Sequence, residues 1–280
     1  MRRSCLGLPL LVCAVSLAGG TPLVSFTGAV LKPAQLNGWV NGFYWQTTKG
    51  YSWTDGEYQA LPEELRTTAF GADVLAGVGL PFKSELRLVV PVQSRTMGDK
   101  SAAGIGDATA ALRYGVLQSG SLPVKLAVGI GASLPTAAKD ANPSLGDRTL
   151  DLGLGAWANT IQFGPLVGHL RLLYWFNGKT NDTTKVGDMF EYLADVDFVL
   201  SRTFIPQVAF TGYVQGKQQV NGQETERSER RYNAASLLLM FKPLPMLVIR
   251  PKVSFPLAGM SQGGALPDLI PGLDVWVTIP

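Results

Sequence analysis

The sequence predicts an all-β protein, a transmembrane antiparallel up-and-down β-barrel of about twelve strands. Apolar and polar residues alternate in short runs from about residue 36 to the end, and the polar face of most runs carries charged side chains. Past the amino terminus, no run reaches the 18 or more apolar residues of a spanning helix. A soluble barrel buries its apolar face, whereas these charges can only share a lumen, so we expect the apolar face to meet lipid.

The alternation is clearest between Pro123 and Leu134, where valine, leucine and isoleucine alternate with lysine, glycine and serine. Successive side chains of a strand point to opposite faces, so this run predicts a strand with one apolar face. The same pattern places the twelve strands near residues 36–49, 66–80, 84–97, 104–118, 122–136, 148–163, 166–178, 187–202, 205–218, 230–243, 246–258 and 269–280.

The connections between these strands alternate in length. Short ones, such as Pro81–Lys83 and Gly164–Pro165, alternate with longer polar ones, such as residues 137–147 and 217–229. Bacterial outer-membrane barrels have tight periplasmic turns and longer external loops, so this asymmetry predicts a location in the bacterial outer membrane. We expect the long loops to be solvated segments without a binding role.

The amino terminus has the pattern of an export signal. Arg2 and Arg3 precede an apolar stretch that ends in Ser16-Leu17-Ala18. We expect residues 1–18 to form the signal peptide, with cleavage possible up to residue 20. Residues 21–35 would then be a periplasmic segment or a plug, and residues 36–280 the barrel.

Composition excludes several classes of site in the mature chain. Both cysteines, Cys5 and Cys13, lie in the signal, which leaves no thiol for a disulfide or a metal. Removing Arg2 and Arg3 from the 24 basic residues leaves 22 against 21 acidic residues, so the charge gives no reason to expect a nucleic-acid partner. We predict no metal site and no cofactor.

Inward charges and aromatic rings are the candidates for a solute path. The alternation places these side chains on the lumen face: Glu85, Arg87, Asp107, Arg113, Asp151, Trp157, His169, Arg171, Trp175, Glu191, Asp195, Asp197, Arg250 and Lys252. An Arg or Lys facing lipid at the midplane would cost about 2 to 4 kcal/mol, which supports this assignment.

The inward acids allow two interpretations. Asp195 and Asp197 share one face, so they could form a paired-carboxylate site, but we expect lumen acids to neutralise arginines across the wall and so narrow the pore. The inward tryptophans Trp157, Trp175 and Trp276 could likewise stack on an aromatic solute, although packing inside the lumen is the simpler expectation.

His169 is the only histidine, so sites built on paired histidines are excluded and any Ser-His hydrolase would have to use it. No serine-rich hydrolase signature surrounds it. We therefore expect a histidine that lines the lumen and a protein that is not an enzyme. An outer-membrane lipid hydrolase that uses His169 stays as an alternative.

Three features have a less regular pattern. Pro91 and Pro251 fall inside predicted strands, where a proline removes a ladder donor, so we expect bulges or strand portions beyond the bilayer. The first strand has no clear inward face. Aromatic residues near strand ends predict an interfacial girdle; they are Trp53, Tyr58, Tyr174, Phe176, Phe190, Tyr192, Tyr213, Tyr232 and Phe255.

One stretch resembles a known family. Gly104-Ile105-Gly106-Asp107 leads into Arg113-Tyr114, and a strand that follows Leu122-Pro123 ends in Ser133-Leu134-Pro135-Thr136. This pattern resembles a bacterial outer-membrane family named for the meta-cleavage pathway of phenol degradation, except that Ala137 stands where the family has glycine. The resemblance implies an outer-membrane barrel that admits small, often aromatic or hydrophobic compounds, and it transfers no catalytic residues.

The leading hypothesis is an outer-membrane channel or uptake protein for small molecules. Its expected partners are outer-membrane lipid, a small-molecule solute and the barrel assembly machinery, although the chain ends in Ile279-Pro280 rather than the usual terminal aromatic residue. The alternatives are the lipid hydrolase and a barrel without a transport role that acts as an anchor or a surface-interaction protein.

Overall fold

The computed structural model describes residues 29–118, 124–160, 162–181 and 183–279. Within them, twelve long strands form the barrel: β1 Leu36–Ser52, β2 Thr67–Leu80, β3 Ser84–Met97, β4 Ala108–Leu117, β5 Val124–Leu134, β6 Asp151–Thr160, β7 Leu166–Phe176, β8 Met189–Phe198, β9 Phe204–Gln215, β10 Arg230–Leu244, β11 Leu247–Pro256 and β12 Ile270–Ile279. The predicted signal peptide lies outside the described residues.

The sheet closes on itself. Each strand pairs antiparallel with its neighbours in chain order, and β1 pairs with both β2 and β12, so that Leu36 lies between Val78 and Ile279. The prediction of a twelve-stranded antiparallel barrel is confirmed. No helix in the described part of the chain is long and apolar enough to cross a membrane.

The two ends of the barrel differ as the loop lengths predict. Both ends of the barrel sequence and the tight turns lie at one end, which we call the periplasmic end. The long connections at the other, outer end carry extra structure. Glu57–Ala60 and Ala265–Pro267 pair with β1, Lys100–Ile105 pairs with β3, and Thr184–Lys185, Gln219–Val220 and Gln223–Glu224 form a small separate sheet. Two short 3-10 turns, Glu63–Leu65 and Ala258–Met260, complete these connections.

The two faces of the wall are inverted relative to a soluble protein. Outward side chains such as Phe70, Ile130 and Leu152 are 57 to 61% exposed, whereas inward Glu85 and Arg113 are 0% exposed. Such an apolar outer band suits hydrocarbon, and the charges lie inside, as the alternation predicts.

The structure shows which side chains of the first strand face the lumen. In β1, Trp39, Phe43 and Trp45 face inward and Val40 and Tyr44 face outward, which the pairing with β2 and β12 enforces.

The two strand prolines lie at breaks in the ladder. At Pro91, β3 exchanges its partner from β4 to Lys100–Ile105, and the Pro91 carbonyl accepts a hydrogen bond from Gly106. At Pro251, the pairing of β11 with β10 is interrupted between Lys252 and Ile249, while the ladder to β12 continues. The missing donors therefore fall where the ladder is already broken.

The girdle prediction is wrong for Tyr213 and Tyr232. These residues are directly opposite each other on β9 and β10, their rings stack with centroids 5.7 Å apart, and both are buried inside the barrel. Tyr58 packs against the same cluster. Strand ends alone do not tell which face a ring occupies, because that depends on the register along the whole strand.

Candidate functional site

The lumen is the candidate site, and the structure places the predicted candidates there. They face inward from the strands, except Asp107, which precedes β4 in the connection at the outer end. Their ion pairs and hydrogen bonds divide them into groups, and five of them, Glu85, Arg87, His169, Asp197 and Arg250, line one cavity at the periplasmic end.

The first group joins Glu85, Arg87, Arg113 and Trp157. The Glu85 Oε1 atom accepts hydrogen bonds from Arg87 Nε at 2.7 Å and from Arg113 Nη1 at 2.5 Å. The guanidinium carbon of Arg113 lies 4.4 Å from the centroid of the Trp157 ring. Glu85 and Arg113 are opposite each other on β3 and β4, so the strand register itself builds this ion pair.

The second group surrounds Asp274 on β12. Its carboxylate accepts hydrogen bonds from Arg250 at 2.6 and 2.8 Å and from Lys252 at 3.0 Å, and Lys252 also donates to Asn41. Trp276 lies under Arg250, with 4.9 Å between the guanidinium carbon and the ring centroid. We did not predict Asp274 as a site residue, although its spacing of two from Trp276 places both on the same face.

Glycines let the large inward rings lie flat against the wall. A Cβ on Gly155 would lie 2.3 Å from a ring carbon of Trp157, and one on Gly153 would lie 2.8 Å from a ring carbon of Trp175. Trp157 is 0% exposed, since Arg113 covers it. In this conformation, therefore, these rings pack in the lumen, and the alternative of an open stacking platform for solute does not hold for Trp157.

The outer end of the lumen is covered by two long connections. Leu266 enters an apolar cluster with Trp175, Met189, Tyr213 and Tyr232. Leu145, also buried, enters from the connection between β5 and β6, where its carbonyl and that of Ser144 accept hydrogen bonds from the β3 side chains of Gln93 and Arg95.

Three acids anchor the connection that carries Leu145. Asp107 accepts hydrogen bonds from the backbone N–H groups of Ala137 and Arg148, and Asp147 lies beside Asp107 and Asp151. Burial raises the pKa of the Asp147 carboxyl to about 7, and Asp151 and Asp107 raise it in the same direction. The predicted candidates Asp107 and Asp151 therefore hold a loop, Asp107 from the connection before β4 and Asp151 from the start of β6, where it accepts a hydrogen bond from Thr149.

The periplasmic end contains a cavity of about 350 Å³. Its walls combine apolar side chains, including Trp39, Met240 and Trp276, with polar ones, including His169 and Asp197. One side is formed by residues 29–31, which belong to the segment before the first strand.

The segment before β1 is tied to the barrel by hydrogen bonds. The Leu31 N–H donates to Glu85 Oε2 at 2.7 Å, the Ala34 N–H donates to the Gly79 carbonyl, and the Gly79 N–H donates to the Gln35 carbonyl. Residues 29–35 therefore lie against the inner wall at the periplasmic opening.

His169 faces the cavity beside two carboxylates. Its Nε2 atom lies 3.2 Å from Asp197 Oδ2 and 3.9 Å from Asp195 Oδ1. Gln207 Nε2 donates to the other oxygen of Asp197, and Gln207 Oε1 accepts a hydrogen bond from Arg250. The buried Arg171 guanidinium interacts electrostatically with Glu191 and Asp195. Gln207 is a site residue that the charge pattern alone missed.

The sequence matches the profile of the family described as the MetA-pathway of phenol degradation over residues 31–257. The chain belongs to this family. The match spans β1 to β11 and extends well beyond residues 104–136, which carry the resemblance in the sequence.

Among solved structures, an outer membrane channel from Pseudomonas putida F1 is similar, with a TM-score of 0.76 and 12% identity over 90% of this chain and 97% of that chain. The NanC porin has a TM-score of 0.52 and 9% identity over 86% of this chain and 98% of that one. At these identities the likeness concerns the fold. A comparison with curated protein sequences finds no match.

Together with the geometry, these results confirm the predicted family, the twelve-stranded antiparallel barrel and its location in the bacterial outer membrane.

Proposed function

We propose that this barrel is an outer-membrane channel that admits small aromatic or hydrophobic molecules. The observation that carries the proposal is the cavity of about 350 Å³ at the periplasmic end, which is walled by Trp39, Met240 and Trp276. Sites for small molecules are concavities of about 300 to 1,000 Å³ that combine apolar walls with polar groups. This cavity has such a volume, and polar side chains, among them His169, Asp197 and Arg250, complete its lining.

The rest of the lumen supports selection for small solutes. Glu85, Arg113, Trp157 and Asp274 are 0% exposed, and the charges pair between neighbouring strands, Glu85 with Arg113 and Asp274 with Arg250, instead of lining a wide watery pore. Passage therefore requires the covering segments to move, in particular residues 29–35 and the connection that carries Leu145. The inward charged and aromatic side chains predicted as candidates for the solute path then act mainly by setting the width and the charge of that path.

The similarity to known proteins agrees with this proposal. The family is described by a pathway of phenol degradation, and the similar structure from Pseudomonas putida F1 is an outer membrane channel. The first description applies to the family as a whole and the second to another protein. They suggest aromatic compounds as the first solutes to test.

The decisive experiment is uptake of labelled phenol and toluene into porin-depleted bacterial cells that express the barrel. We expect faster uptake than in cells that express a barrel with Trp276→Arg, which would place a cation in the cavity, while a trisaccharide enters neither strain. Equal uptake with and without the barrel, for every small solute, would contradict the channel and favour an anchoring or surface-interaction barrel.

We infer that the protein is not an enzyme, because the one catalytic alternative considered, lipid hydrolysis through His169, does not fit the position of that side chain. The imidazole faces the lumen beside two carboxylates and is 11% exposed, whereas lipid contacts the opposite face of the wall. The test is lipid hydrolysis by the purified barrel and by His169→Ala. An activity that the substitution abolishes would contradict this inference.

The remaining expectations stay proposals. Lipid is a proposed partner, because apolar side chains cover the outer face of the barrel. The barrel assembly machinery is a second proposed partner, although Ile279-Pro280 stand where the usual terminal aromatic residue is expected. The domain division also stays a proposal: a signal over residues 1–18, a segment or plug over residues 21–35, and a barrel over residues 36–280. The contacts of residues 29–35 favour a plug.

A further inference from the structure

The group formed by His169, Asp195 and Asp197 has the composition of a metal site. An imidazole nitrogen and two carboxylate oxygens, all within 4.8 Å of one another, converge on one point in the lumen. We propose that these three side chains bind a divalent transition-metal ion, with Zn²⁺ as the ion to test first. This revises the prediction that the chain has no metal site, and it does not depend on whether the barrel conducts solutes.

The strand register holds the three ligands in place. Asp195 and Asp197 are two residues apart on β8 and so share its inner face, and His169 lies directly opposite Asp195 on β7. Side chains opposite each other on paired strands are about 5 Å apart at Cβ, which places them within reach of one ion. The three ligands are therefore held close together by two paired strands, whereas ligands on a flexible loop would have to become ordered before they could bind an ion.

The distances suit a metal after small adjustments. Zinc bonds to nitrogen and to oxygen at about 2.0 to 2.2 Å, so ligand atoms of a tetrahedral site lie about 3.4 Å apart. The His169 Nε2 atom is 3.2 Å from Asp197 Oδ2 and 3.9 Å from Asp195 Oδ1. Three protein ligands would leave a fourth position toward the cavity, because His169 and Asp197 both line it.

A second observation points to a ligand at this place. Asp195 is 6% exposed, yet its Oδ1 atom accepts no hydrogen bond from any residue that the structure describes. This oxygen is the one nearest His169 Nε2. A buried carboxylate oxygen without a donor is costly, and a metal ion would satisfy it.

Neighbouring groups orient one ligand and limit the local positive charge. Gln207 donates to the second oxygen of Asp197 and so holds that carboxylate, as groups behind metal ligands commonly do. Arg250 is near, but it donates hydrogen bonds to Asp274 and to Gln207, and the charge of Arg171 interacts with Glu191 as well as with Asp195. Arg250 and Arg171 therefore each interact with an acid outside the proposed metal site.

The test uses the full barrel, refolded in detergent, freed of metal by a chelator, and titrated with Zn²⁺ in a calorimeter. We expect one ion per barrel. Asp195→Asn and His169→Ala should each bind at least about tenfold more weakly, because each removes a direct ligand. The matched control is Asp73→Asn, which removes an inward acid on β2 that accepts a hydrogen bond from Asn41, away from the group, and should retain the affinity.

Heat-modifiable gel mobility would show that each variant is folded before titration. Binding that is equally strong in Asp195→Asn would place the ion elsewhere and overturn the proposal. Folded wild-type barrel that takes up no stoichiometric Zn²⁺ would overturn it for Zn²⁺, and the group would then be a histidine held between two carboxylates.

Discussion

The Arg113 guanidinium lies against the Trp157 ring, 4.4 Å from its centroid, and both side chains are 0% exposed. A desolvated cation–π contact is worth about 2 kcal/mol or more. Arg113 also donates to Glu85, whose other oxygen binds the Leu31 N–H. One connected set of side chains therefore links the wall at Trp157 to the segment before β1.

Glu85→Ala should destabilise the barrel strongly. The substitution leaves Arg87 and Arg113 buried without their common carboxylate, and breaking a buried pair in this way costs about 3 to 5 kcal/mol. Urea unfolding of the barrel refolded in lipid vesicles measures the change. Glu64→Ala, at an exposed site in an outer connection, is the control and should stay within about 0.5 kcal/mol of wild type. Equal midpoints for the two variants would contradict the role of Glu85.

Gly155→Ala should also lower the free energy of unfolding, by about 1 to 3 kcal/mol, because the added Cβ would lie 2.3 Å from a ring carbon of Trp157. Gly168→Ala is the matched control in the neighbouring strand. Its Cβ would meet Thr160 at 3.7 Å, an ordinary contact, so little change is expected. The same vesicle assay serves, and a wild-type midpoint for Gly155→Ala would show that Trp157 can move aside easily.

Gly79→Ala should displace residues 29–35 and increase the uptake of small solutes. A Cβ on Gly79 would lie 1.8 Å from the Lys32 carbonyl oxygen, so the segment cannot keep its place. Gly77→Ala, two residues away on the same face of β2, would meet its nearest neighbours at 3.5 Å and should leave uptake unchanged. If both variants take up solute at the wild-type rate while remaining folded, residues 29–35 do not restrict passage.

The connection between β5 and β6 should dock more weakly as the pH rises. The docked Asp147 has a pKa of about 7, above the 3.8 of a free carboxyl, so docking retains a proton that the undocked loop loses. Docking is therefore undiminished below about pH 4 and weakens between about pH 4 and 7. Hydrogen exchange of residues 137–149 should speed up over that range beyond the intrinsic effect of pH.

Asp147→Asn should remove this dependence, because an amide does not titrate. Asp140→Asn, exposed in the same connection, is the control and should retain it. A wild-type pH profile in Asp147→Asn would assign the effect to another group.

Local alternation was enough to predict the fold because a strand inverts its side chains every residue, and a charge in lipid is costly. This rule placed Glu191, Asp195 and Asp197 inside without any knowledge of the neighbouring strands. It failed for Tyr213 and Tyr232, whose positions near strand ends indicated the rim. The strand of Tyr213 has no charged residue, and the two charges beside Tyr232, Arg230 and Arg231, are adjacent and so point to opposite faces.

The residue pattern alone predicts the architecture: the number of strands, the inward faces of most of them, the two classes of connection and the family. Which inward residues meet is settled only when the barrel closes. The pairing of Glu85 with Arg113 and the convergence of His169 on Asp195 depend on the register between strands. The periodicity of one strand contains no information about that register. The cavity beside residues 29–31 depends further on how a segment without alternation folds against the closed wall.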